Sequence, residues 1–186
     1  AKENGVRKVV FASSSSVYGD NPELPKHEGM LPNPLSPYAV SKLAGEKYCS
    51  VFSKLYGIET IVLRYFNVFG PRQDPNSQYS AVIPLFIKAI SNDKQPTIFG
   101  DGTQSRDFTY VANVVEANIL AATNKNIESG LAMNCACHGQ ISLTELVLKI
   151  NKLLNKVIVP LYAEARSGDI KHSYADISKA YQFLDY

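Results

Sequence analysis

The feature that most constrains the fold is an apolar run, VVFA at residues 9–12, that leads directly into four serines at 13–16. The run has no polar alternation, which is typical of a strand covered on both faces in a parallel sheet. Residues 13–19 are then expected at the carboxyl end of that strand, where open parallel sheets bind their ligands. The run therefore predicts an α/β fold with a ligand site beside the serines.

The following segments complete a strand–helix–strand unit. Ser36 and Pro37 supply an N-cap and a first-turn proline, and apolar residues then recur at helical spacing until Gly57. TIVLRYF at 60–66 is typical of a second buried strand. Later patterns predict helices near 81–91 and 112–123, a strand at 96–100, a helix begun by a capping box at 142–145, and a last helix capped by Asp176.

Composition narrows the class of partner. A chain of 186 residues with 45% hydrophobic residues can bury one substantial core. Its net charge of +2 is spread without a block of like charges, which gives no footprint for nucleic acid or a membrane surface. No apolar run approaches the ~20 residues that span a bilayer. We therefore expect a small-molecule partner and a cytoplasmic location.

The three cysteines raise the question of a metal site. Cys135, Cys137 and His138 lie together in NCACH, whereas zinc sites need about four ligands. A buried strand with small thiols is the favoured interpretation, and no metal is predicted. The odd cysteine count fits a reducing compartment.

The chemistry is suggested by Tyr38 and Lys42, which are four residues apart and so share one face of the predicted helix. An ammonium near a phenol stabilises the phenolate, which would make Tyr38 a usable base at neutral pH. A hydroxyl from the serine run could share the substrate oxygen with Tyr38. By itself the Y-x-x-x-K spacing also fits an ordinary solvated helix face, and the serines make the catalytic interpretation stronger.

Five motifs carry a family resemblance: SSSSVYGD, SPYAVSK, LRYFNVFGPRQDP, FGDGTQSRDFTYV and RSGDIKHSYAD. In this order the chain resembles the extended short-chain dehydrogenase/reductases, specifically the nucleotide-sugar 4-epimerases. The resemblance implies part of an NAD-binding, Rossmann-like doubly wound parallel sheet and a small C-terminal α/β substrate-binding region. It assigns residues 1–75 to the first and 76–186 mainly to the second, with a strand and helix at about 105–137 returning to the sheet.

The resemblance also implies roles for individual residues. Ser14, Tyr38 and Lys42 match the catalytic residues, and Tyr38, Lys42 and Tyr65 match positions at the NAD cofactor. Structural roles without a ligand stay open as alternatives, such as a surface ion pair for Arg106, a turn for Arg166 and a core position for Phe99. The residues matched to a UDP-sugar are Ser15, Ser16, Asn67, Gln73, Ala81, Val82, Thr97, Phe99, Arg106, Arg166, Asp169 and Ser173.

The resemblance further separates the reactions of this superfamily. Dehydratases carry Thr-Asp-Glu where this chain has Ser14, Ser15 and Ser16, and related decarboxylases keep a Glu at the position of Ser16. The serines therefore favour 4-epimerisation through a transient 4-keto sugar. Ser173, a small residue at the family's gatekeeper position, favours UDP-N-acetylglucosamine and UDP-N-acetylgalactosamine. The alternatives are another nucleotide-sugar epimerase, a dehydratase, a decarboxylase, or a non-catalytic dimerising fragment.

Two departures from the family pattern lead to further expectations. Many relatives have an Asp where this chain has Asn113, so an interaction at that helix start is in doubt. The chain also contains no glycine-rich phosphate loop after a strand. We therefore expect an interior fragment that binds NAD poorly and turns over little by itself. The resemblance implies a homodimer formed through the helix at 37–56 and its neighbouring helix.

Overall fold

A computed structural model of the chain describes residues 1–76, 82–166 and 170–186. Its helices are Pro37–Tyr56 (α1), Val82–Ser91 (α2), Val111–Thr123 (α3), Leu143–Leu154 (α4) and Ser178–Leu184 (α5). Its strands are Lys8–Ser14 (β1), Glu59–Tyr65 (β2), Val68–Phe69 (β3), Thr97–Phe99 (β4), Ser105–Arg106 (β5), Thr109–Tyr110 (β6), Leu131–Cys135 (β7), Ile141–Ser142 (β8) and Leu161–Ala163 (β9). Short 3₁₀ turns cover Lys2–Asn4 and Ser15–Tyr18. The predicted α/β class is confirmed.

The central feature is a parallel sheet with the strand order β1-β2-β7. Alternate residues of β2 face opposite sides, as the pleat requires. Ile61 and Leu63 pack against α3, whereas Thr60 donates a hydrogen bond to the Cys49 carbonyl of α1. Helices therefore cover both faces of this sheet, and its strands end together at Ser14, Tyr65 and Cys135.

The first strand is less buried than its sequence predicts. Within the described ranges β1 pairs with β2 alone, and Val9, Val10 and Phe11 are half-buried while Ala12 is exposed. Helices α1 and α3 both contact β1, so the predicted cover on its two faces is present, but the strand is only half-buried. β2 is buried at residues 60–64, because strands flank it on both sides.

A second core lies outside the central sheet and supports the small strands. β4 pairs with β9 in parallel, and β5 pairs with β8 in antiparallel. The capping box predicted at Ser142 and Glu145 is confirmed, and it begins α4. Apolar side chains from α2, β4 and α4 pack together here, namely Ile83, Phe86, Ile90, Ile98, Leu146, Val147 and Ile150.

Both ends of α1 lie where the sequence predicts them, whereas the start of α5 does not. Ser36 caps α1 by accepting a hydrogen bond from the Ala39 amide at 3.1 Å, and Gly57 ends the helix with φ 67°, both as predicted. Asp176 is not the N-cap of the last helix, since Ile177 holds that position. Its carboxylate instead accepts a hydrogen bond from the amide of Ser178, the first helical residue, at 2.8 Å.

The NCACH segment is only partly a strand. β7 ends at Cys135, which is buried, and Cys137 beyond it is exposed. The favoured interpretation of the segment as a buried strand is therefore correct for its first two residues alone. Residues 131–135 lie beside β2, and α3 packs against β1 and β2. The division of the chain at residue 75 stays a prediction. In the described ranges, the helices fall short of the length and apolarity that crossing a membrane requires.

Candidate active site

The serine run lies where the sequence predicts it, at the carboxyl end of β1. Ser13 and Ser14 are the last residues of the strand, and Ser15 and Ser16 begin the 3₁₀ turn. Ser14 caps this turn, because its Oγ accepts a hydrogen bond from the Ser16 amide at 3.2 Å. Ser16 is half-buried, and its Oγ has no hydrogen-bond partner among the described residues. The turn fixes the backbone at Ser14 next to the strand end.

Tyr38 and Lys42 lie on one side of α1, as their spacing predicts. Lys42 Nζ is 5.5 Å from the centroid of the Tyr38 ring and donates a hydrogen bond to the Ala12 carbonyl at 2.9 Å. The lysine therefore contacts β1 two residues before Ser14. Tyr38 is 49% exposed, so its phenol is accessible to a ligand.

A glycine permits the close packing of α1 on β1. A Cβ atom on Gly45 would lie 2.1 Å from Cζ of Phe11, well inside van der Waals contact. Any larger residue at position 45 would push the helix away from the strand. The catalytic side chains predicted on α1 and on β1 depend on this approach for their spacing.

Tyr65 ends β2 directly beside Ser14 in the sheet register. Its hydroxyl donates a hydrogen bond to Asn118 Oδ1 of α3 at 2.9 Å. Burial raises the pKa of Tyr65 above the usual range for a phenol, while the bond to Asn118 opposes that shift. Tyr65 therefore remains a neutral hydrogen-bonding group at physiological pH.

Six of the residues predicted to contact a UDP-sugar line one cavity of about 500 Å³. Its walls come from α2, β4, β5, the start of α4 and the segment after β9, so the second core supports it. This volume lies within the range of sites that bind small molecules. The predicted residues that line it are Asn67, Val82, Thr97, Phe99, Arg106 and Arg166.

Two arginines contribute positive charge to this cavity. The guanidinium of Arg166 stacks on Phe99, with Cζ 3.7 Å from the ring centroid. Arg106 Nη1 donates hydrogen bonds to the carbonyls of Ser105 at 2.9 Å and Lys171 at 3.2 Å. These contacts orient both guanidinium groups, and such groups bind phosphates well because their fork of donors matches phosphate oxygens.

Asn67 and Ser173 are brought together although they are 106 residues apart in the chain. Asn67 Nδ2 donates to the Asp107 carbonyl at 3.2 Å and to Ser173 Oγ at 3.4 Å. Asn67 has a φ of 31°, in the left-handed region that asparagine tolerates better than most residues. The backbone turn at Asn67 therefore points its amide toward both segments. Ser173 is buried behind this amide.

Among the predicted residues that the structure describes, Ser15, Ser16, Gln73 and Ser173 do not line this cavity. Gln73 lies in a separate hollow of about 300 Å³ formed with Phe69, Ile83 and Tyr110. There its Nε2 donates to the Val68 carbonyl at 3.2 Å, so the prediction that it faces the sugar has no support in this cavity. Ala81 and Asp169 lie outside the described residues.

Sequence reasoning missed two polar residues of the cavity, Gln95 and Gln104. Gln104 lines it and donates a hydrogen bond from Nε2 to the Phe99 carbonyl. Its Oε1 is buried without a hydrogen-bond partner in the described part of the chain. The position of Gln104 in GTQSRD, two residues before Arg106, was the available signal.

A buried polar cluster behind β1 was also missed. Glu46 of α1 accepts hydrogen bonds from Ser13 Oγ at 2.5 Å and from Arg64 Nε at 2.9 Å. Tyr18 lies over Arg64, with 4.8 Å from Cζ to the ring centroid, and donates to Asn134 Oδ1 at 2.6 Å. The signal in the sequence was Arg64 itself, a charged residue inside the apolar strand TIVLRYF.

The Tyr18 hydroxyl gives this cluster a measurable pH dependence. Burial raises the pKa of Tyr18 to about 12, although the nearby Arg64 guanidinium opposes that shift. In the unfolded chain the phenol ionises near pH ~10, so unfolding releases a proton between these two values. Stability is therefore retained below pH ~10 and falls as the pH rises toward 12, by about 2–3 kcal/mol for this group.

We expect urea denaturation to reveal this loss between pH 9 and pH 12. In a Tyr18→Phe variant the loss over the same interval should be smaller by that amount, because the titrating group is gone. The comparison isolates Tyr18 from other groups that titrate in this range. Equal losses in the two proteins would contradict the assignment.

The family described as "NAD dependent epimerase/dehydratase family" matches residues 1–136, which include the serine run, Tyr38, Lys42, Tyr65 and Arg106. The chain belongs to this family. The resemblance to NAD-dependent nucleotide-sugar epimerases is thereby confirmed.

Solved structures of such epimerases superimpose closely on this family member. A UDP-N-acetylglucosamine 4-epimerase from Methanobrevibacter ruminantium M1, in complex with UDP-N-acetylmuramic acid, is 46% identical with a TM-score of 0.94. The match covers all of this chain and 58% of that one. A UDP-glucuronic acid 4-epimerase from Bacillus cereus, in complex with UDP-glucuronic acid and NAD, is 38% identical with a TM-score of 0.88. That match covers 96% of this chain and 55% of the other.

A relative found by sequence comparison also carries the name of a nucleotide-sugar 4-epimerase. The UDP-glucose 4-epimerase of Mycolicibacterium smegmatis is 36% identical over 185 residues, which is 99% of this chain and 58% of the relative. The chain thus spans somewhat more than half the length of the proteins it matches. The three carry names with different sugars, so membership of the family leaves the sugar open.

Proposed function

We propose that this chain is the catalytic and substrate-binding part of an NAD-dependent UDP-hexose 4-epimerase. The observation that carries the proposal is the single cavity into which six residues predicted for a nucleotide sugar converge. Those residues are scattered between positions 67 and 166. A fold without a nucleotide-sugar site would not be expected to bring all six together. We place the activity in the complete gene product, in which a glycine-rich loop would supply backbone donors for the cofactor pyrophosphate.

The electrostatics of the cavity support a substrate with a diphosphate. Arg106 and Arg166 offer two guanidinium groups, and Asn67 adds an amide donor. The face of Phe99 is covered by Arg166, so a base entering the cavity would meet a stacked cation and ring. We infer that the arginines bind the phosphates, and that Val82 and Thr97 lie against the nucleoside.

The chemistry of Tyr38 and Lys42 fits a nicotinamide cofactor. An accessible phenol and an ammonium beside the strand end can donate to ribose hydroxyls, and exposed Ala12 leaves room over the sheet next to Lys42. Bound NAD would supply the acceptor for the C4 hydride and its return to the sugar. Lys42 would hold the ribose and stabilise the phenolate of Tyr38.

The proton steps fall to this chain's own residues. Tyr38 removes the proton from the C4 hydroxyl while Ser14 Oγ shares the same oxygen and steadies it. The flat 4-keto sugar then turns beside Tyr38, and Tyr38 returns the proton after the second face is reduced. Ser15 and Ser16 supply no carboxylate for the elimination or decarboxylation that related enzymes perform. This set of groups suits 4-epimerisation.

We propose an N-acetylated hexose as the preferred sugar. Ser173 is a small residue that accepts a hydrogen bond from Asn67. A bulky residue at position 173 would fill the space that we assign to an N-acetyl group. The 46% identity to an enzyme named as a UDP-N-acetylglucosamine 4-epimerase supports the same choice.

The test is a substrate comparison on the complete gene product with NAD. We expect interconversion of UDP-N-acetylglucosamine and UDP-N-acetylgalactosamine, followed by NMR of the anomeric protons, with a kcat/KM above that for UDP-glucose. Equal turnover of UDP-glucose with none of UDP-N-acetylglucosamine would reject the sugar and keep the reaction. Failure to epimerise any UDP-hexose would reject the function itself.

We further propose that the complete protein forms a homodimer in the cytoplasm. The outward side of α1 carries exposed apolar residues that a second copy of the chain could cover. Two copies could bury these faces against each other. The exposed apolar residues of α1 are Val40, Tyr48, Val51, Phe52 and Leu55.

A further inference from the structure

Three neighbouring strands place a row of polar side chains on the α1 side of the central sheet. Ser13 of β1 is the register partner of Arg64 in β2, and Arg64 is the partner of Asn134 in β7. Register partners in parallel strands point to the same face. All three side chains are buried. The row lies one residue before Ser14 and Tyr65, at the level where the sheet meets the candidate active site.

Glu46 joins this row to α1. Arg64 binds its carboxylate with two hydrogen bonds, Nε to Oε1 at 2.9 Å and Nη2 to Oε2 at 2.7 Å. Ser13 Oγ donates to the same Oε1 at 2.5 Å. A bidentate pair of this kind fixes both distance and orientation. The carboxylate therefore fastens α1 to the ends of β1 and β2 at one defined point.

Glu46 lies on the same side of α1 as the candidate catalytic groups Tyr38 and Lys42. Tyr38, Lys42 and Glu46 are separated by four residues each, so they follow one side of α1 over two turns. Lys42 bonds the Ala12 carbonyl and Glu46 bonds the next residue, Ser13. The two contacts set the height and the rotation of α1 against β1, and with them the place of Tyr38 relative to Ser14.

Stability alone gives a poor reason for such a pair. Replacing a buried ion pair with apolar residues of similar volume is often neutral or stabilising, because removing two charges from water is costly. In this protein, hydrogen bonds do not fully offset the cost of removing Arg64 from water. Its Nη1 is buried without a hydrogen-bond partner among the residues the structure describes. A precise geometry is what the pair adds over an apolar contact.

We propose that Glu46, Arg64 and Ser13 are positioning residues that hold α1 in the register required for proton transfer by Tyr38. The proposal rests on the epimerase function inferred above. It predicts that loss of the Glu46–Arg64 pair lowers kcat strongly, while the stability of the fold and the KM change little.

The test uses the complete gene product and the double variant Glu46→Met/Arg64→Met, which removes both charges and keeps side-chain volume. We expect kcat to fall about tenfold or more, since small misplacements of reacting groups slow chemistry strongly. KM should stay within about twofold and the Tm within about 5 °C of the unsubstituted protein. A folded double variant with unchanged kcat would overturn the proposal.

Two variants of Ser13, which change the cluster less, test the same proposal if the double variant does not fold. Ser13→Ala removes one hydrogen bond from Glu46, and Ser13→Thr restores the hydroxyl. We expect a loss in kcat of about threefold or more for the alanine variant and recovery in the threonine variant. Unchanged kcat in Ser13→Ala, or equal losses in both, would overturn the proposal. An unsubstituted protein that epimerises no UDP-hexose would instead reject the function, and this inference with it.

Discussion

A Tyr38→Phe variant of the complete gene product is expected to epimerise its substrate about 10² to 10⁴ times more slowly than the unsubstituted protein. The phenol is the group proposed to take and return the C4 hydroxyl proton, and phenylalanine keeps the ring while removing that oxygen. Tyr38 is 49% exposed, so the fold should be little affected. Single-turnover and steady-state assays would measure the loss in kcat.

Tyr181→Phe is the control for this variant. Tyr181 lies on α5, is 68% exposed and loses the same atom. We expect its kcat to remain within about twofold of the unsubstituted protein, since surface changes away from the site have small effects. A Tyr38→Phe protein with the kcat of the Tyr181→Phe protein would remove Tyr38 from the mechanism.

An Arg64→Met variant is expected to lose about 3–5 kcal/mol of unfolding free energy. The substitution leaves the Glu46 carboxylate buried with Ser13 as its remaining partner in the cluster, and an uncompensated buried charge is costly. Urea denaturation of the complete gene product would give this loss as a lower midpoint at constant slope.

Arg7→Met is the control for Arg64→Met, because Arg7 is exposed at the start of the sheet. It should change the unfolding free energy by no more than about 0.5 kcal/mol. Adding Glu46→Met to the Arg64→Met protein should recover most of the loss, since the orphan charge is then gone. A loss below about 1 kcal/mol for Arg64→Met would mean that the carboxylate finds other partners.

The elements that the sequence predicts best are those fixed by local chemistry. Helix α1 begins at the Ser36 cap and ends at Gly57 as predicted, because both signals act through the nearest backbone groups. The same is true of the capping box that begins α4. Tyr38 and Lys42 share a helix face because the helical repeat alone requires it.

Predictions failed where an outcome depends on distant segments. The apolar run of β1 suggested a fully buried strand, yet β1 is half-buried, because the burial of a strand depends on its neighbouring strands as well as on its own composition. Gln73 belongs to the same motif as Asn67 yet lines a separate hollow, so its contact with the sugar stays a prediction. Asp176 looked like a cap, and the helix began two residues later.

The sequence by itself determined the α/β class, the helix that carries Tyr38 and Lys42, and the family, since each follows from short motifs whose chemistry is local. Only the tertiary structure decided that Asn67, Phe99, Arg106 and Arg166 share one cavity, and that Arg64 meets Glu46 behind the serine run. The physical reason is that strand register and helix packing join residues far apart in the chain. No local pattern encodes a buried charge's partner, because that partner is selected by the geometry of the folded sheet.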